Sequence, residues 1–341
     1  MKKITIIILT LFFAVQSFSQ EINNNVSKRG TTAAPFLIIS QGSRASSMGS
    51  AFVAVADDPS ALFWNPAGIA RMEQNGFMVD RTEWIADLAY NYIAGSLNLG
   101  NFGALGISFI TSDYGEMDVR TIAEPDGTGE TFSVSDAAFS VAWAFSLTEN
   151  FSIGFNPKVI YQSISKMSDY SFALDFGILY NTPFQGVTLG MSISNFGSKM
   201  SLAGNTATIL YDPDDGTTGN NDRIPGQLDM ESWDLPLTFR VGISYEAFRT
   251  ENHQLRFAVD ALHPNNNYES VNVGGEYGFN DFLFLRGGYK SLFLEDTEES
   301  FTIGGGIKQR LMGNIAISID YSYSDFGIFQ EVQKFSLGIN F

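Results

Sequence analysis

The stretch that decides the fold is residues 42–72, GSRASSMGSAFVAVADDPSALFWNPAGIARM. A run of small and apolar residues over 51–56 ends at Asp57-Asp58-Pro59. Pro59 suits the first turn of a helix, where an amide hydrogen is not needed, and Asp58 can cap the exposed amides. The pattern predicts a short helix near residues 60–63, broken by Pro66. Two short helices ahead of a long series of strands are typical of a plug in a hollow fold.

The residues before this stretch indicate export. Residues 1–19 have a basic start at Lys2 and Lys3, an apolar segment over 4–15, and small residues before a cleavage point. The apolar segment is too short to cross a bilayer as a helix, which needs about 20 residues. A buried N-terminal helix is the alternative. We therefore predict a signal peptide over 1–19, a lead over 20–41, a plug over 42–75, here called the hatch, and a barrel over 76–341.

Composition argues against several classes of function. The chain has no cysteine, which excludes disulfides, thiolate metal sites and a cysteine nucleophile. A formal net charge of −17 repels the phosphates of nucleic acid, so no nucleic-acid partner is expected. The two histidines, His253 and His263, fall at or near predicted turns and lack the partners of a catalytic triad. The sequence predicts no catalytic residue, no metal site and no cofactor.

One acidic segment, Tyr211–Thr217, invites comparison with a calcium-binding loop. An EF-hand needs alternating acidic ligands and a bidentate glutamate at the twelfth position. Counting from Asp212, the fifth position is Gly216 and the twelfth is Arg223, so the motif fails. A plain acidic turn is the preferred interpretation, with an adventitious divalent-ion site as the alternative.

From about Gly76 to the end, apolar residues alternate with small or polar ones. In the clearest case one face of a predicted strand is apolar and the other polar: Ile315, Ile317, Ile319, Tyr321 and Tyr323 oppose Ala316, Ser318, Asp320, Ser322 and Ser324. Such alternation suits either a soluble sandwich or an outer-membrane barrel. The runs reach ten residues or more, against about 5–6 for an average strand and about 9–11 for one that crosses a bilayer.

The connections decide between these two folds. One set is short, whereas the alternate set includes the long segments 112–130, 198–234 and 291–300. Short turns on one side and long loops on the other are typical of bacterial outer-membrane barrels, which have an even number of strands. The sequence predicts an all-β fold: a transmembrane antiparallel β-barrel of about 14 strands, with a small helical N-terminal hatch in its lumen.

The C-terminus carries a predicted assembly signal. Residues 335–341, FSLGINF, alternate and end on an aromatic residue, with Leu337, Ile339 and Phe341 on one face. This resembles the terminal strand by which outer-membrane barrels are recognised for assembly.

The hatch resembles the N-terminal signature of the PorV/PorQ family of outer-membrane proteins, themselves similar to FadL-type fatty-acid channels. The resemblance covers about residues 36–72 and includes a hatch motif built from Trp64, Asn65, Pro66, Ala67 and Gly68. It implies a fourteen-stranded barrel closed by the hatch. Members close to PorV serve type IX secretion, binding the translocon or the C-terminal domains of cargo, whereas FadL-type relatives move hydrophobic small molecules.

These implications give two competing functions. The preferred one is a monomeric, non-enzymatic component of type IX secretion in the outer membrane, with both termini in the periplasm. Its partners would be outer-membrane lipid and translocon or cargo domains, docked through loops 112–130 and 198–234. The alternative is a FadL-like conduit for long-chain fatty acids or other hydrophobic small molecules, which requires an apolar cavity beside the hatch. A lipase-like enzyme ranks far behind, because no nucleophile motif is present.

Three further expectations concern the hatch. Arg44 or Arg71 is predicted to pair with acidic groups that hold the plug; Asp57 and Asp58 are nearest in sequence, and solvated arginines at the barrel mouth are the alternative. Asn65-Pro66-Ala67 is predicted to fix a turn, with Asn65 bonding nearby backbone. The glycine runs at 287–288 and 304–306 are predicted to lie where the hatch approaches the wall closely.

Overall fold

A computed structural model describes residues 27–213, 216, 223–311 and 313–341. The predicted signal peptide, the start of the lead and residues 214, 215 and 217 of the acidic segment lie outside the described residues. Within the described part of the chain, no helix is both long enough and apolar enough to cross a membrane.

Fourteen long strands of the described chain form the wall of a barrel, and four short strands lie in its loops. Numbered in chain order, the wall strands are β1 Gly76–Glu83, β2 Ala89–Asn98, β3 Ala104–Asp113, β5 Thr131–Thr148, β6 Phe151–Ile164, β7 Met167–Asn181, β8 Val187–Gly197, β12 Thr238–Arg249, β13 His253–Pro264, β14 Ser270–Phe279, β15 Leu283–Leu292, β16 Phe301–Arg310, β17 Ala316–Asp325 and β18 Glu331–Asn340. The short strands are β4 Glu116–Asp118, β9 Ala203–Gly204, β10 Thr208–Tyr211 and β11 Ile224–Gln227.

The helices in the described residues are all short. Those of the lead and hatch are a 3-10 helix at Pro35–Ile38, α1 Ser43–Ser47, α2 Ala61–Trp64 and a 3-10 helix at Pro66–Arg71. Further 3-10 turns lie in the connections at Ile85–Asp87, Gly100–Phe102, Asn205–Ala207 and Gly327–Phe329. Asp58 Oδ1 accepts hydrogen bonds from the amide and the hydroxyl of Ser60, the N-cap residue of α2, but no described side chain bonds to an amide of α2 itself.

The wall is a closed antiparallel barrel. Each wall strand pairs with its sequence neighbours, β3 pairs with β5, and β18 pairs with β1 to complete the ring. Closure removes free sheet edges, so every wall strand has partners on both sides. The predicted fourteen-stranded barrel is confirmed, and the sandwich alternative is wrong.

The apolar face of the wall points outward. On β12, Phe239, Val241, Ile243 and Tyr245 are exposed on the outer surface, whereas Arg240 on the opposite face is buried. Because the barrel lumen is occupied by the hatch, the buried core of the molecule lies inside the ring. Its largest buried side chains come mostly from residues 36–69: Phe36, Met48, Phe52, Leu62, Trp64 and Ile69.

The two ends of the barrel differ. One end, here called the short-turn end, carries the tight links such as residues 149–150 and 250–252. The other end, here called the mouth, carries loops 114–130, 198–237 and 293–300. Phe341 lies at the short-turn end, where its amide and carbonyl bond to those of Asn75.

The chain runs through the lumen from the mouth to the short-turn end. At the mouth, Thr32 forms a parallel bridge with Asp234, and the Arg29 guanidinium donates to the carbonyls of Glu295 and Asp296. The hatch then fills the lumen, and β1 begins at Gly76. The described lead and Phe341 therefore lie at opposite ends of the barrel. The predicted N-terminus after signal-peptide removal, near residue 20, lies outside the described residues, so its location remains a prediction.

Candidate functional site: the hatch and its contacts with the wall

The hatch motif lies where α2 ends and the following 3-10 helix begins. Asn65 Oδ1 accepts from the amide of Ala67 at 3.2 Å, and its Nδ2 donates to the carbonyls of Val53 and Ile178 at 2.8 and 2.9 Å. Asn65 therefore bonds two segments of the hatch and one wall strand, β7. Pro66 follows at the first position of the 3-10 helix, where its fixed φ suits the turn.

The Trp64 side chain contacts both the N-terminal segment and the barrel wall. Its indole Nε1 donates to the carbonyl of Gln41, the last residue of the lead, at 2.9 Å. From the wall, the guanidinium of the buried Arg240 lies 5.4 Å from the Trp64 ring centroid, within the range of a cation–π contact.

Arg44 on α1 connects the hatch to the wall through ion pairs. Its Nε and Nη2 donate to the two carboxylate oxygens of Glu276 on β14 at 2.8 and 2.9 Å, a bidentate geometry. Its Nη1 donates to Asp57 at 2.5 Å and to Asp58 at 3.1 Å. One guanidinium therefore bonds three carboxylates, and the one from the wall is Glu276.

The ion pairs extend along the lumen. The guanidinium of Arg286 on β15 donates to Glu276 at 2.7 Å and to Asp320 at 2.6 Å. On the other side, Arg256 on β13 donates to Asp57 at 2.7 Å. We call the residues Arg44, Asp57, Asp58, Arg256, Glu276, Arg286 and Asp320 the Arg44 network. It joins the hatch to four consecutive or near-consecutive wall strands, β13, β14, β15 and β17.

The pKa values of the two hatch carboxylates are shifted in opposite directions. Burial acts to raise the pKa of Asp57, but the guanidinium groups of Arg44 and Arg256 outweigh burial and lower this pKa to about 2. At Asp58, burial dominates and raises the pKa although Arg44 opposes it. The Arg44 network therefore stabilises the ionised form of Asp57.

Arg71 makes a different kind of contact. Its guanidinium donates to neutral oxygens: Ser152 Oγ, Asn181 Oδ1 and the carbonyls of Asn150 and Leu179 at 2.6–3.1 Å. Burial lowers its pKa. Of the two arginines predicted to pair with acids, the structure places Arg44 among carboxylates and Arg71 among backbone carbonyls and neutral side chains at the ends of β6 and β7.

Asp260, on the inner face of β13, caps a turn of the hatch. Its Oδ2 accepts from the amides of Phe52 and Val53 at 2.7 and 2.9 Å. Sequence reasoning missed this residue, and also missed Glu276 and Arg286. The signal was present: each is a charged residue at an inward-facing position of an alternating strand, where only a partner in the lumen could compensate it.

Glycines in the wall give the hatch room near the Asn65 motif. A Cβ atom at Gly154 would lie 2.4 Å from the amide nitrogen of Ala67, and one at Gly177 would lie 2.0 Å from Asn65 Oδ1. Real Cβ atoms cannot approach so closely, so β6 and β7 accommodate the motif only because these positions are glycine.

A second set of glycines lies against α1 and the turn after it. A Cβ at Gly288 would lie 2.3 Å from the amide nitrogen of Gly49, and one at Gly304 would lie 2.5 Å from Ser47 Cβ. The prediction that the hatch approaches the wall at these glycine runs is confirmed for Gly288 and Gly304. The prediction is wrong for Gly287, Gly305 and Gly306, where the atom nearest a Cβ would belong to the wall: the carbonyl oxygen of Thr302 at 3.8 Å, that of Phe284, and Asp320 Oδ1, respectively.

Two cavities flank the hatch. A cavity of about 720 Å³ faces the short-turn end and is lined largely by charged residues, among them Arg44, Arg256, Glu276 and Lys308. A second, of about 20 Å³, has mixed lining that includes Leu37, Leu62, Phe63 and Lys158. The second cavity has room for about one water molecule. The larger cavity does not have the apolar lining that a hydrophobic conduit requires.

The remaining predicted residues are spread over the barrel. Leu337 and Ile339 lie on β18 within the seam with β1, and Leu337 and Phe341 are exposed. His253 and His263 lie at opposite ends of β13, with the Tyr277 hydroxyl and the Glu269 carboxylate as their respective neighbours. The structure therefore does not bring the histidines together.

Comparison with known proteins identifies the family. The sequence profile described as "Type IX secretion system protein PorV" matches residues 21–203, more than half of the chain. The chain belongs to the PorV family. It is an outer-membrane β-barrel of a family associated with type IX secretion. A sequence search among proteins with curated descriptions finds no match.

Solved structures similar to this PorV-family chain are FadL-like outer-membrane barrels. The toluene transporter TbuX of Ralstonia pickettii superposes with a TM-score of 0.56 at 13% identity, covering 88% of this chain and 97% of TbuX. The CymD monoaromatic hydrocarbon channel gives 0.55 at 13% identity, covering 88% and 96%. A Pseudomonas aeruginosa FadL homologue gives 0.53 at 12% identity, covering 89% and 98%. At these identities the likeness establishes the fold.

Proposed function

We propose that this PorV-family barrel is a non-enzymatic docking component of type IX secretion, which binds the translocon or cargo C-terminal domains through loops 114–130 and 198–237 at its mouth. The observation that carries the proposal is the contrast between lumen and mouth. The lumen is closed by a hatch with buried ion pairs to the wall, whereas the mouth exposes large apolar side chains such as Ile122 and Leu210. Exposed apolar surface at the end of a closed barrel supports binding rather than passage.

The test is native purification of the full chain from the outer membrane, followed by identification of co-eluting proteins. Replacing residues 208–227 or 117–128 with a short Gly-Ser linker is expected to abolish co-elution of translocon or cargo proteins. Residues 198–204 and 230–237 are kept, because Met200 and Leu235 are buried in the mouth. A barrel with a linker in the 99–103 turn serves as the control. Unchanged co-elution from both loop variants would contradict the proposal.

The FadL-like conduit remains the second candidate, supported by a break in the wall next to the smaller cavity. Pro157 on β6 lacks an amide hydrogen, and the β5–β6 ladder skips from the Ser140–Lys158 pair to the Trp143–Phe155 pair. A conduit predicts uptake of a hydrophobic probe such as toluene into cells that express the chain. Joining β5 to β6 by a disulfide across the break, with cysteines at Val141 and Pro157, would then block uptake, whereas it would leave protein co-elution intact.

We further propose that the mouth faces the cell exterior and that Phe341 faces the periplasm. The long loops lie at the mouth, as in other outer-membrane barrels. The absence of cysteine from the sequence allows a clean test with a large, membrane-impermeant maleimide on intact cells. Lys28→Cys, in the lead, is expected to react in intact cells, whereas Asn314→Cys in a short turn reacts only after lysis. The reverse pattern would invert the orientation.

A further inference from the structure

Loop 198–237 contains a two-stranded hairpin that stands apart from the barrel wall. β10 and β11 pair with each other, and within the described residues no third strand pairs with either. All four side chains of β10 are exposed, with Leu210 at 65% and Tyr211 at 55% exposure. A two-stranded hairpin is only marginally stable alone in water, and an uncovered apolar edge is a template for further pairing.

The register shows which backbone groups of β10 lie on the edge that faces away from β11. Leu228 donates its amide hydrogen to the carbonyl of Ala207 at 2.8 Å, so these opposing residues form a hydrogen-bonded pair. Hydrogen-bonded and non-hydrogen-bonded pairs alternate along an antiparallel ladder. Thr208–Gln227 and Leu210–Pro225 are therefore non-hydrogen-bonded pairs. The carbonyl group of Thr208 and the amide and carbonyl groups of Leu210 consequently point away from β11, along the outer edge of β10, whereas the amide of Thr208 donates to the carbonyl of Asn205 in the preceding 3-10 turn.

The two edges of the hairpin are not equivalent. On β11, the outward position opposite Leu210 is Pro225, which has no amide hydrogen and so weakens that edge as a template. On β10, the outward positions are Thr208 and Leu210, and the strand contains no proline and no charge. Strand addition is therefore favoured at β10.

The charge around the hairpin restricts what can bind. Loops 114–130, 198–237 and 293–300 contain sixteen Asp or Glu and three Lys or Arg. The links at the short-turn end, residues 99–103, 149–150, 182–186, 250–252, 280–282 and 311–315, contain three acids and no base. The negative charge of the loops is therefore concentrated at the mouth. A second copy of the chain would bring two acidic mouths together, and lipid phosphates would be repelled; a basic polypeptide would be attracted.

We propose that β10 binds an extended segment of a partner polypeptide by strand addition, and that this segment carries apolar residues flanked by Lys or Arg. The inference rests on the proposed docking function and specifies its partner chemistry. Backbone bonds to Thr208 and Leu210 give affinity, side chains facing Ile209 or Leu210 give selectivity, and the acidic loops attract the basic flanks. Raised ionic strength weakens the last contribution.

The test uses the full chain in native outer membranes, with the photo-reactive p-benzoylphenylalanine at position 211 or, as a second site, at position 117. Leu210→Pro removes one outward amide hydrogen without breaking a hairpin bond, because Leu210 lies in a non-hydrogen-bonded pair. Gln227→Pro does the same on the β11 edge and is the matched control, and Leu210→Val keeps the amide. Heat-modified migration on gels verifies that each barrel is folded.

Leu210→Pro is expected to lower the yield of adducts at position 211 about tenfold, while Gln227→Pro and Leu210→Val retain it. Mass spectrometry should place the adduct in a segment of net positive charge, and yield should fall in high salt. Equal yields from Leu210→Pro and Gln227→Pro, an acidic segment or a second copy of the chain as the adduct would overturn the strand-addition proposal. No protein adduct at either position would instead overturn the docking function itself.

Discussion

The hatch meets the barrel wall in two chemically different ways. Toward β13–β17 it is bound through the Arg44 network, in which carboxylates and guanidinium groups alternate from Asp57 to Asp320. Toward β6 and β7 the wall offers only neutral partners: Asn65 and Arg71 donate to carbonyl and amide oxygens, and glycines allow close approach. On the side of β13–β17, the charged side, binding of the hatch depends on every ionic partner being present. On the side of β6 and β7, the neutral side, it depends on the room that the wall glycines leave for the hatch.

The largest effect is expected from Glu276→Gln, which breaks the charged side. Arg44 and Arg286 both pair with Glu276, so its removal leaves two cations with reduced compensation in the lumen. Breaking a buried pair in this way costs about 3–5 kcal/mol. The measurement is ion conductance of the purified barrel in planar bilayers, which should rise as the hatch loosens. Asp281→Asn, which breaks a rim pair with Arg310, is the control, and equal conductance of the two variants would refute the role of Glu276.

On the neutral side, Gly177→Val tests shape. The new Cβ would collide with Asn65 Oδ1, and overpacking of this kind costs about 1–3 kcal/mol. We expect faster cleavage by trypsin at Arg71 in the folded barrel, read by mass spectrometry. Gly287→Val places the same side chain where the wall is open and should leave the cleavage rate at the wild-type value. Matching rates for the two variants would show that the close approach is unimportant.

A smaller loss is expected from Asn65→Ala, which separates hydrogen bonding from shape. The carbonyls of Val53 and Ile178 each lose a donor, at a cost of about 1–2 kcal/mol. Thermal unfolding, followed by circular dichroism and trypsin resistance of the hatch, should show the hatch loosening at lower temperature than the barrel. Asn205→Ala, at an exposed loop position, provides the baseline. If the hatch of Asn65→Ala resists trypsin as well as the hatch of Asn205→Ala, then Asn65 has no role in holding the hatch in place.

The smallest effect is the response of the charged side to pH. The pKa of Asp57 is lowered to about 2, so its ion pairs stabilise the hatch above the usual carboxylate pKa and are lost as pH falls toward 2. Asp58, whose pKa is raised, acts in the opposite sense and favours the hatch when protonated. Conductance should therefore rise as the pH falls from about 4 toward 2, because the Asp57 ion pairs are lost in that range. Asp57→Asn should remove that acid response, and a response of the same size in Asp57→Asn would argue against Asp57.

Much of this arrangement could be predicted from local sequence pattern. Strict alternation between Gly76 and Phe341 specified the strands, and the order of short and long connections specified the closed barrel. The turn chemistry of Asn65-Pro66 and the hydrogen bonds from Ser60 to Asp58 also depend on neighbouring residues only. The register that places Glu276 beside Arg44, 232 positions earlier, depends on the whole ring closing, and no local pattern encodes it.

Loop 198–237 illustrates the same limit. Its acidic and polar composition predicts a loop, and the pairing of Thr208–Tyr211 with Ile224–Gln227 depends on a contact across a polar segment. The path of the lead could not be predicted either, because Thr32 bridges Asp234 through backbone groups, which carry no side-chain signature.

The passage of the chain through its own barrel constrains the order of assembly. Residues 32–75 occupy the lumen from one end to the other, with the wall pressed against the backbone at Gly154, Gly177 and Gly288. If β1 and β18 paired first, the N-terminal residues would have to thread through a closed ring of fourteen strands. Closing the ring around the hatch avoids that threading, so we expect the seam between β1 and β18 to form last.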